Sequence, residues 1–535
     1  RRGRARCQAG SRGSANKGGA AQGSDGPSVP LELDALCGGV VDEPPHLGEW
    51  IDLDSARRTN PIADVEAYAA SRSWYVDPSD AVIQQAVRNP FGDVNSTMYV
   101  RAGPREESVF APEEVKAAVV TCGGLCPGLN TVVREVVQCL VRQYGVPESQ
   151  VWGVEGGYRG FYSRNLVDLN LDMVESIHNK GGTMLGTSRG GHDTKKIVDA
   201  IEDRGINHVY IIGGDGTQRG ADAIYKEVRR RGLKVAVVGI PKTIDNDVCV
   251  IDKSFGFDTA VEEAQRAINA AYVEADSAIP NGVGLVKLMG RHAGFIAMHA
   301  TLASRVVDLC LIPEVEVDME GPEGVLAHVA RRLEEQGRCI IVVAEGAGQE
   351  YLKDVWSGAA ADASGNRMLA DIGLWLGDQL KVHFRDAGNA ITLKYIDPTY
   401  MIRAVAANGS DNIYCTLLAH NAVHAAFAGF TGVTVGPVNG RHALIPLRAI
   451  TGETRTVDVE ERMWARTVLS TRQPLFSKAG PKPERPPAQA PKQEIAGVKP
   501  VGVANGGGPA QPKTNGAQAE EKKGAAEEEP VSGVA

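Results

Sequence analysis

Residues 213–217, Gly-Gly-Asp-Gly-Thr, form a loop between a short apolar run and a stretch with helical periodicity. Glycines without a β-carbon let backbone N–H groups approach a phosphate closely, and a helix N-terminus favours its negative charge. Asp215 adds a hard oxygen ligand of the kind that Mg²⁺ shares with phosphate and water. The structural alternative is that Asp215 only caps the following helix. We predict a phosphate and magnesium site, because a second glycine loop follows another apolar run of the chain.

That second loop, residues 121–130, also lies between an apolar run and a helical pattern. Gly123 and Gly124 lack β-carbons, so their backbone could approach a phosphate in the same way. Taken alone, this loop is a weak signal, since glycine turns follow strands in many α/β proteins. The interpretation as a phosphate site is strengthened because the same chain also contains the Asp215 loop.

A third loop, residues 241–247, carries two acids two residues apart, just past another apolar run. Phosphoryl transfer needs neutralisation of charge, alignment, and a carboxylate near the acceptor hydroxyl. Lys242 can neutralise charge, Asp245 can accept the proton, and Asp247 can orient a group or join the second shell of the metal. An Asx turn without catalytic function is the alternative for this loop in isolation. Three such loops together favour a kinase.

Composition excludes several other classes of protein. The chain of 535 residues is long enough for two domains, and its net charge of −9 with scattered basic residues does not imply a nucleic-acid partner. The apolar runs are too short for a membrane helix, so no membrane partner is expected. Nine cysteines without a Cys-x-x-Cys pair predict reduced thiols. Cys122 and Cys126 are read as small apolar residues beside a turn, because no second pair of metal ligands accompanies them.

Short apolar runs alternate with amphipathic stretches through the middle of the chain, which predicts an α/β fold with parallel sheets covered by helices. The runs are KAAVVTC, VYII, KVAVVGI, GLVKLM, CIIVVAEG and AITLKYI. We expect an extension at 31–110, a catalytic core at 111–470, and a disordered Pro/Ala/Gly/Lys/Glu-rich tail at 471–535. Residues 1–30 are basic and contain no acid before Asp25, which fits either a transit-peptide remnant or an ordinary disordered tail.

Eight segments in order closely resemble the phosphofructokinase family, nearest to the ATP-dependent 6-phosphofructokinases of plants and green algae. They are GGLCPGLN, GTSRGGHD, GGDGT, PKTIDND, GFDTAVEEA, KLMGRHAGF, AEGAGQE and KYIDPTYMIR, and the resemblance covers about residues 100–450. It implies two Rossmann-like subdomains with the active site in the cleft between them. It also implies MgATP as donor, fructose 6-phosphate as acceptor, a homo-oligomer (dimer or tetramer), and residence in the chloroplast stroma, with the cytoplasm as the alternative.

The resemblance assigns roles to individual residues. The nucleotide would be held by Gly124, Arg189, Gly190, Gly214, Asp215, Gly216 and Thr217, with Asp215 on Mg²⁺. The reacting end of the sugar would meet Thr243 and Asp245, with Asp245 as the catalytic proton acceptor and Lys242 and Asp247 beside it. The sugar phosphate would be bound by Met289, Gly290, Arg291, Glu345, Tyr400 and Arg403. Arginine forks suit a phosphate, and a carboxylate accepts hydrogen bonds from sugar hydroxyls.

Two positions bear on which donor is used. Pyrophosphate-using relatives have an aspartate where this chain has Gly216, and that carboxylate would repel and collide with the α-phosphate region of ATP. Lys242 favours pyrophosphate instead, because pyrophosphate enzymes have lysine at this position and bacterial ATP enzymes have glycine. We favour ATP, with a pyrophosphate-dependent enzyme and a non-catalytic regulatory subunit as the alternatives. The arginine that a neighbouring subunit supplies in bacterial relatives has no counterpart here, and Lys287 and Lys394 are candidates to replace it.

Overall fold

The computed structural model describes residues 39–65, 74–87, 96–163, 166–353 and 368–476. The tail predicted at 1–30 and most of the tail predicted at 471–535 lie outside these residues. The strands are β1 Gly39–Asp42, β2 Arg58–Thr59, β3 Ala81–Ile83, β4 Ser96–Arg101, β5 Glu107–Ser108, β6 Ala117–Thr121, β7 Val151–Val154, β8 Val167–Asp168, β9 His208–Gly213, β10 Ala236–Pro241, β11 Gly282–Leu288, β12 Leu309–Leu311, β13 Arg338–Ala344, β14 Thr392–Ile396, β15 Val433–Val438 and β16 Arg441–Pro446.

The α-helices stand mainly between the parallel strands, as the alternating pattern predicts. They are Leu129–Gln138, Gly160–Ser163, Leu171–Val174, Thr194–Arg204, Asp215–Arg231, Phe257–Asp276, Phe295–Ser304, Val325–Gln336, Ile372–Asp386, Thr399–Arg403, Gly409–Phe427, Leu447–Ile450 and Arg462–Thr471. None of these helices is long and apolar enough to span a lipid bilayer.

Within the described residues, the larger sheet has ten strands, in the order β1-β4-β16-β15-β10-β9-β6-β7-β8, with β3 paired to β4. Its centre is parallel: β10 pairs with β15 and β9, and β6 pairs with β9 and β7. Every residue of β6, β9 and β10 is buried. Burial on both faces explains why these strands are continuous apolar runs rather than alternating ones.

The smaller sheet is entirely parallel, in the order β12-β13-β11-β14. Alternate residues of β11 enter different cores: Val283 and Leu285 join one apolar cluster, whereas Val286 and Leu288 join another. Helices therefore cover both faces of this sheet. The predicted α/β class is confirmed, and the carboxyl ends of strands in both sheets carry the loops singled out in the sequence.

The larger sheet is mixed rather than purely parallel, which the sequence analysis did not predict. β16 runs antiparallel to both β15 and β4. Asn439 and Gly440, the two residues between β15 and β16, both have positive φ, at 46° and 71°. Asn-Gly is the residue pair that two-residue hairpins with this twist prefer. The second strand of this hairpin, β16, pairs with β4. Residues 96–101, which belong to the predicted extension, are therefore part of the larger sheet.

The C-terminal part of the described chain packs on the smaller sheet's side. Helix Arg462–Thr471 contacts helix Phe295–Ser304. The Gln473 side chain is buried; it accepts a hydrogen bond from the Cys310 N–H at 2.7 Å and donates one to the Cys310 carbonyl at 3.0 Å. Residues 471–476, which the sequence analysis placed in the tail, are among the described residues, and Thr471 and Gln473 are buried.

Asp411 joins two helices that flank the third loop, and its removal is expected to destabilise the fold. Its carboxylate is fully buried and accepts hydrogen bonds from Gly256 N (2.9 Å), Thr259 N (2.7 Å) and Thr259 Oγ1 (2.6 Å). Asp411→Ala leaves these donors unsatisfied, so we expect the free energy of unfolding to fall by about 3 kcal/mol, measured by chemical denaturation. The control Asp378→Ala, which removes an exposed ion pair with Lys381, should cost less than about 1 kcal/mol. Equal losses in the two variants would contradict the role of Asp411.

Candidate active site

The Gly-Gly-Asp-Gly-Thr loop lies at the carboxyl end of β9, where helix Asp215–Arg231 begins. Gly214 caps this helix, and its carbonyl accepts hydrogen bonds from Thr217 N at 2.8 Å and Gln218 N at 2.9 Å. The N–H groups before Thr217 have no acceptor within the helix and face outward at its positive end. A β-carbon at Gly213 would lie 2.5 Å from the Thr217 side chain, so only glycine allows this close contact of strand and helix.

The second glycine loop, after β6, lies against residues 187–190. Gly123 N donates to Ser188 O at 3.1 Å, and Thr187 Oγ1 donates to Gly123 O at 2.7 Å. These bonds bring Arg189 over the turn, where its Nη2 lies 3.8 Å from the position of a β-carbon at Gly124. The next residue, Gly190, has a φ of 77°, which permits the turn.

Lys242 connects the second and third loops. Its N–H donates to Gly213 O at 3.0 Å, and its Nζ lies 3.4 Å from the position of a β-carbon at Gly123. The side chain is buried, and burial is the main cause that lowers its pKa, with the charge of Arg189 adding to the effect. Two cations therefore face the glycine turn after β6, which suits a bound phosphate chain.

The third loop is a turn built largely by Thr243. Its Oγ1 accepts a hydrogen bond from Asp245 N at 3.1 Å and donates one to Asp247 Oδ1 at 3.0 Å. Asn246, with a φ of 58°, accepts from Ser254 N at 3.0 Å. The carboxylate of Asp245 takes no part in the turn, and its Oδ1 is shielded from solvent without a hydrogen bond from any described residue. A turn alone thus does not account for Asp245.

The acids of the two sites act on each other. Burial raises the pKa of Asp215 to about 6, and repulsion from Asp247 contributes to this shift. Burial also raises the pKa of Asp245 to about 8, and repulsion from Asp247 is again the second cause. Asp247 is therefore the common neighbour of Asp215 and Asp245, and Lys242 opposes both shifts. The structure brings the predicted metal carboxylate and the predicted proton acceptor into one site.

This donor set fits a magnesium ion that is shared with a phosphate. No group of three or more His, Cys, Asp or Glu side chains is gathered for a metal in the described ranges. Mg²⁺ commonly binds through one or two carboxylates and takes its other ligands from substrate phosphates and water. A nearby cation would stabilise the ionised form of Asp215, whose pKa is raised mainly by burial.

The loops of the smaller sheet also act on this site. After β13, Glu345 N donates to Leu288 O at 2.9 Å, and Gly346 N donates to Gly290 O at 3.1 Å, which ties the loop to the end of β11. Glu345 raises the pKa of Asp245, whereas Arg291 lowers it. The predicted acceptor site therefore contains groups from both sheets.

Glu345 stands at the centre of a second charge cluster. Burial is the main cause that raises the pKa of Glu345, and the charge of Asp397 adds to this rise. The opposite effect, a lowering of the pKa, comes from the positive charges of Arg291, Lys287 and Arg403. Arg403 ends helix Thr399–Arg403, and its guanidinium lies 4.8 Å from the Tyr400 ring.

The remaining predicted sugar-site residues differ in exposure. Met289 is buried in the main apolar cluster, and Gly290 has a φ of 129°. Tyr400 is 73% exposed.

Arg219 is a site residue that the sequence analysis missed. It lowers the pKa of Asp215 and, with that residue, lines an open cavity of about 420 Å³ whose other wall consists of Thr451, Gly452, Glu453 and Thr454. The i, i+4 spacing of Asp215 and Arg219 on one helix was the available signal.

The two lysines offered as substitutes for a neighbouring arginine already have carboxylate partners. Lys287 Nζ lies 2.7 Å from Asp371 and 2.8 Å from Asp397, with only 12% of the side chain exposed. Lys394 Nζ lies 3.4 Å from Glu274. Lys287 therefore links Asp371 and Asp397 by ion pairs, and Asp371 also caps helix Ile372–Asp386.

Comparison with known proteins agrees with the fold. Glycine loops and acids that follow the carboxyl ends of parallel strands are typical of a phosphate-binding site. The model of the phosphofructokinase family matches residues 116–426, which is more than half of the chain. The chain is 57% identical over 459 residues to "ATP-dependent 6-phosphofructokinase 4, chloroplastic" of Arabidopsis thaliana, covering 85% of each protein. It is 56% identical over 445 residues to "ATP-dependent 6-phosphofructokinase 7" of the same plant, covering 83% of this chain and 90% of the relative.

A solved structure shares the fold at lower identity. The pyrophosphate-dependent phosphofructokinase from Marinobacter aquaeolei has a TM-score of 0.55 at 20% identity, covering 68% of this chain and 93% of that one. The chain belongs to the phosphofructokinase family, and the resemblance seen in the sequence is confirmed.

Proposed function

We propose that this protein is an ATP-dependent 6-phosphofructokinase, which transfers the γ-phosphoryl group of ATP to the 1-hydroxyl of fructose 6-phosphate. The products are fructose 1,6-bisphosphate and ADP, in the committed step of glycolysis. The observation that carries the proposal is the Asp245 carboxylate, whose buried Oδ1 has no hydrogen bond from any described residue. Its pKa is raised by Asp247 of its own loop and by Glu345 of the smaller sheet, and lowered by Arg291. The names of the plant relatives support ATP as the donor.

Steady-state assays of the purified protein with ATP and with pyrophosphate test this proposal. We expect turnover of fructose 6-phosphate with MgATP and little or none with pyrophosphate. Turnover with pyrophosphate but not with ATP would show that pyrophosphate is the donor. Absence of turnover with either donor would indicate a non-catalytic member of the family.

In the proposed reaction, Asp245 accepts the proton of the 1-hydroxyl while that oxygen bonds to the γ-phosphorus. The bond from the γ-phosphorus to the oxygen that bridges the β-phosphorus breaks, and ADP leaves with that oxygen. Lys242 and Arg189 neutralise phosphate charge from the side of the glycine turn. Arg291 and Arg403 offer guanidinium groups to the sugar phosphate, with Glu345 accepting from its hydroxyls. Mg²⁺ held by Asp215 would supply further neutralisation of the donor phosphates.

Gly216 supports ATP for a reason that the structure makes specific. It is exposed, and a β-carbon built on it would meet no heavy atom within 4 Å. Packing of the protein therefore does not require glycine here. The open space suits the part of the donor beyond the transferred phosphates, which ATP has and pyrophosphate lacks.

The pH dependence of the reaction follows from the acids of the site. Only the ionised carboxylate of Asp245 accepts a proton, so we expect kcat/KM for fructose 6-phosphate to rise with pH through the neutral range. Its pKa of about 8 is raised partly by Asp247. Asp247→Asn removes that repulsion and should move the midpoint of the rise to lower pH, measured in pH profiles of the two proteins. A midpoint that stays in place, or moves upward, would contradict this account.

Assembly, location and domain limits are further proposals. We propose a homo-oligomer, dimer or tetramer, which light scattering of the purified protein would test. Residence in the chloroplast stroma is supported by the relative named chloroplastic, while the other plant relative carries no such label and leaves the cytoplasm as the alternative. A fluorescent fusion of the complete N-terminus would decide between them. We retain 111–470 as the catalytic core, extended to residue 476 by the packing of Gln473.

A further inference from the structure

Residues 451–457, here called the strap, run along the third loop. Thr454 forms an antiparallel bridge with Val248, and Arg455 N donates to Asp247 O at 2.8 Å. Cys249 Sγ donates to Glu453 O at 3.2 Å. The strap is thus bonded to the backbone directly after Asp245, although it lies some 200 residues later in the chain.

The backbone that the strap contacts contains a strained turn. Val250 has a φ of 74°, and Ile251 N donates to Cys249 O at 2.9 Å across it. A three-residue turn with this hydrogen bond and positive φ is the rarer, strained form of the γ-turn. A β-branched residue is an outlier in this conformation, so surrounding contacts must hold it.

Arg455 supplies such contacts. Its Nη1 donates to Ile251 O at 3.2 Å and to Asp252 O at 2.9 Å, the two carbonyls that follow Val250. The Arg455 guanidinium therefore holds the backbone directly after the strained turn, and the backbone N–H of Arg455 holds the Asp247 carbonyl before it.

The strap also reaches the loops of the smaller sheet. The Arg455 guanidinium lies 5.1 Å from the centre of the Phe295 ring, four residues after Arg291. Val457 N donates to Glu314 Oε1 at 2.7 Å, and the same carboxylate accepts from Gly294 N. Arg455 thus lies between the loop that carries Asp245 and the segment that follows Arg291.

We propose that Arg455 is a positioning residue for phosphoryl transfer, which holds the strained turn at Val250 and so sets the placement of Asp245 and Asp247 against the Arg291 side. This inference rests on the proposed role of Asp245. Arg455 acts through backbone carbonyls and an aromatic ring rather than through a substrate contact. Its loss should slow the transfer step more than it weakens binding, because a small misplacement of a catalytic group is costly.

The first test compares Arg455→Met with Arg448→Met. We expect kcat of Arg455→Met to fall by roughly 10- to 100-fold, with KM for each substrate within about threefold of the unmodified protein. Arg448, three residues before the strap, pairs with Asp42, and its variant should keep kcat within about twofold. Arg455→Lys, which keeps a cation and one donor near the carbonyls, should recover part of the loss. Equal kcat in Arg455→Met and Arg448→Met would overturn the proposal, and so would a loss confined to KM.

The second test is a double-mutant cycle with Val250→Gly, since glycine adopts a positive φ without strain. If Arg455 acts by holding the strained turn, Val250→Gly combined with Arg455→Met should have a higher kcat than Arg455→Met alone. Additive losses would overturn the inference, and thermal unfolding of each variant would identify a loss that comes from misfolding. If the unmodified protein turns over and Asp245→Asn does not, a normal Arg455→Met refutes only this inference. If the unmodified protein is inactive, the proposed function itself fails.

Discussion

Asp245→Asn is expected to lower kcat by about 10³-fold, within the 10²- to 10⁴-fold range that general-base catalysis supplies. An amide of nearly the same shape cannot accept the proton of the 1-hydroxyl. The fold should not suffer, because Asp245 Oδ1 accepts no hydrogen bond from the described residues and the turn depends on Asp245 N, which asparagine keeps. Steady-state kinetics with MgATP and fructose 6-phosphate, together with MgATP binding by calorimetry, measure the two effects separately.

A matched control is Asp252→Asn in the same segment. Asp252 accepts hydrogen bonds from Asn439 N and Gly440 N at the hairpin between β15 and β16, and it is not one of the main causes that shift the pKa of Asp245. We expect this variant to keep kcat within a few fold. If Asp245→Asn keeps more than a tenth of kcat, another group accepts the proton and the mechanism proposed here is wrong.

Gly216→Asp is expected to reduce kcat/KM for ATP by about 10³-fold. A carboxylate about 4 Å from a phosphate charge, at an effective dielectric constant of about 20, meets a repulsion of about 4 kcal/mol, and each 1.36 kcal/mol is about a factor of ten. The protein has room for the new side chain, because nothing lies within 4 Å of a β-carbon at this position. The effect should therefore fall on the donor and not on stability, which kinetics and thermal unfolding would measure in parallel.

Gly216→Ala separates charge from volume at the same position. It adds a methyl group without charge, so we expect a much smaller loss of ATP use than with aspartate. Unchanged ATP kinetics in Gly216→Asp would refute the explanation of donor choice, whereas a new ability to use pyrophosphate would strengthen it.

Much of the fold could be predicted from local patterns. β6, β9, β10, β11, β13 and β14 coincide with the six apolar runs within a few residues. Five of them are almost entirely buried, because strands covered on both faces must be apolar, whereas β14 is an edge strand on which Thr392 and Lys394 are exposed. The mixed order of the larger sheet was not predicted, although Asn439-Gly440 is a hairpin signal. The pairing of β16 with β4 joins residues more than 300 positions apart, and no local sequence pattern predicts such a pairing.

Part of the candidate site could likewise be predicted from the sequence, and part could not. The three loops were predicted because glycines, Asp215, Lys242 and Asp245 follow strands at short spacing. Arg219 was missed despite its helical spacing from Asp215. The strap and Arg455 were missed because their contacts join segments about 200 residues apart.

The amino-acid sequence by itself determined the local parts of this protein: which segments are strands, which loops lack β-carbons, and which side chains can bind a phosphate or accept a proton. These properties depend on residue type and on neighbours along the chain. Only the tertiary structure decided that Asp215 and Asp245 share Asp247 as a neighbour, that Arg291 and Glu345 influence Asp245 from another sheet, and that Arg455 holds the turn after it. Burial and distances between groups far apart in the chain set these interactions, and both quantities exist only after the two sheets have packed.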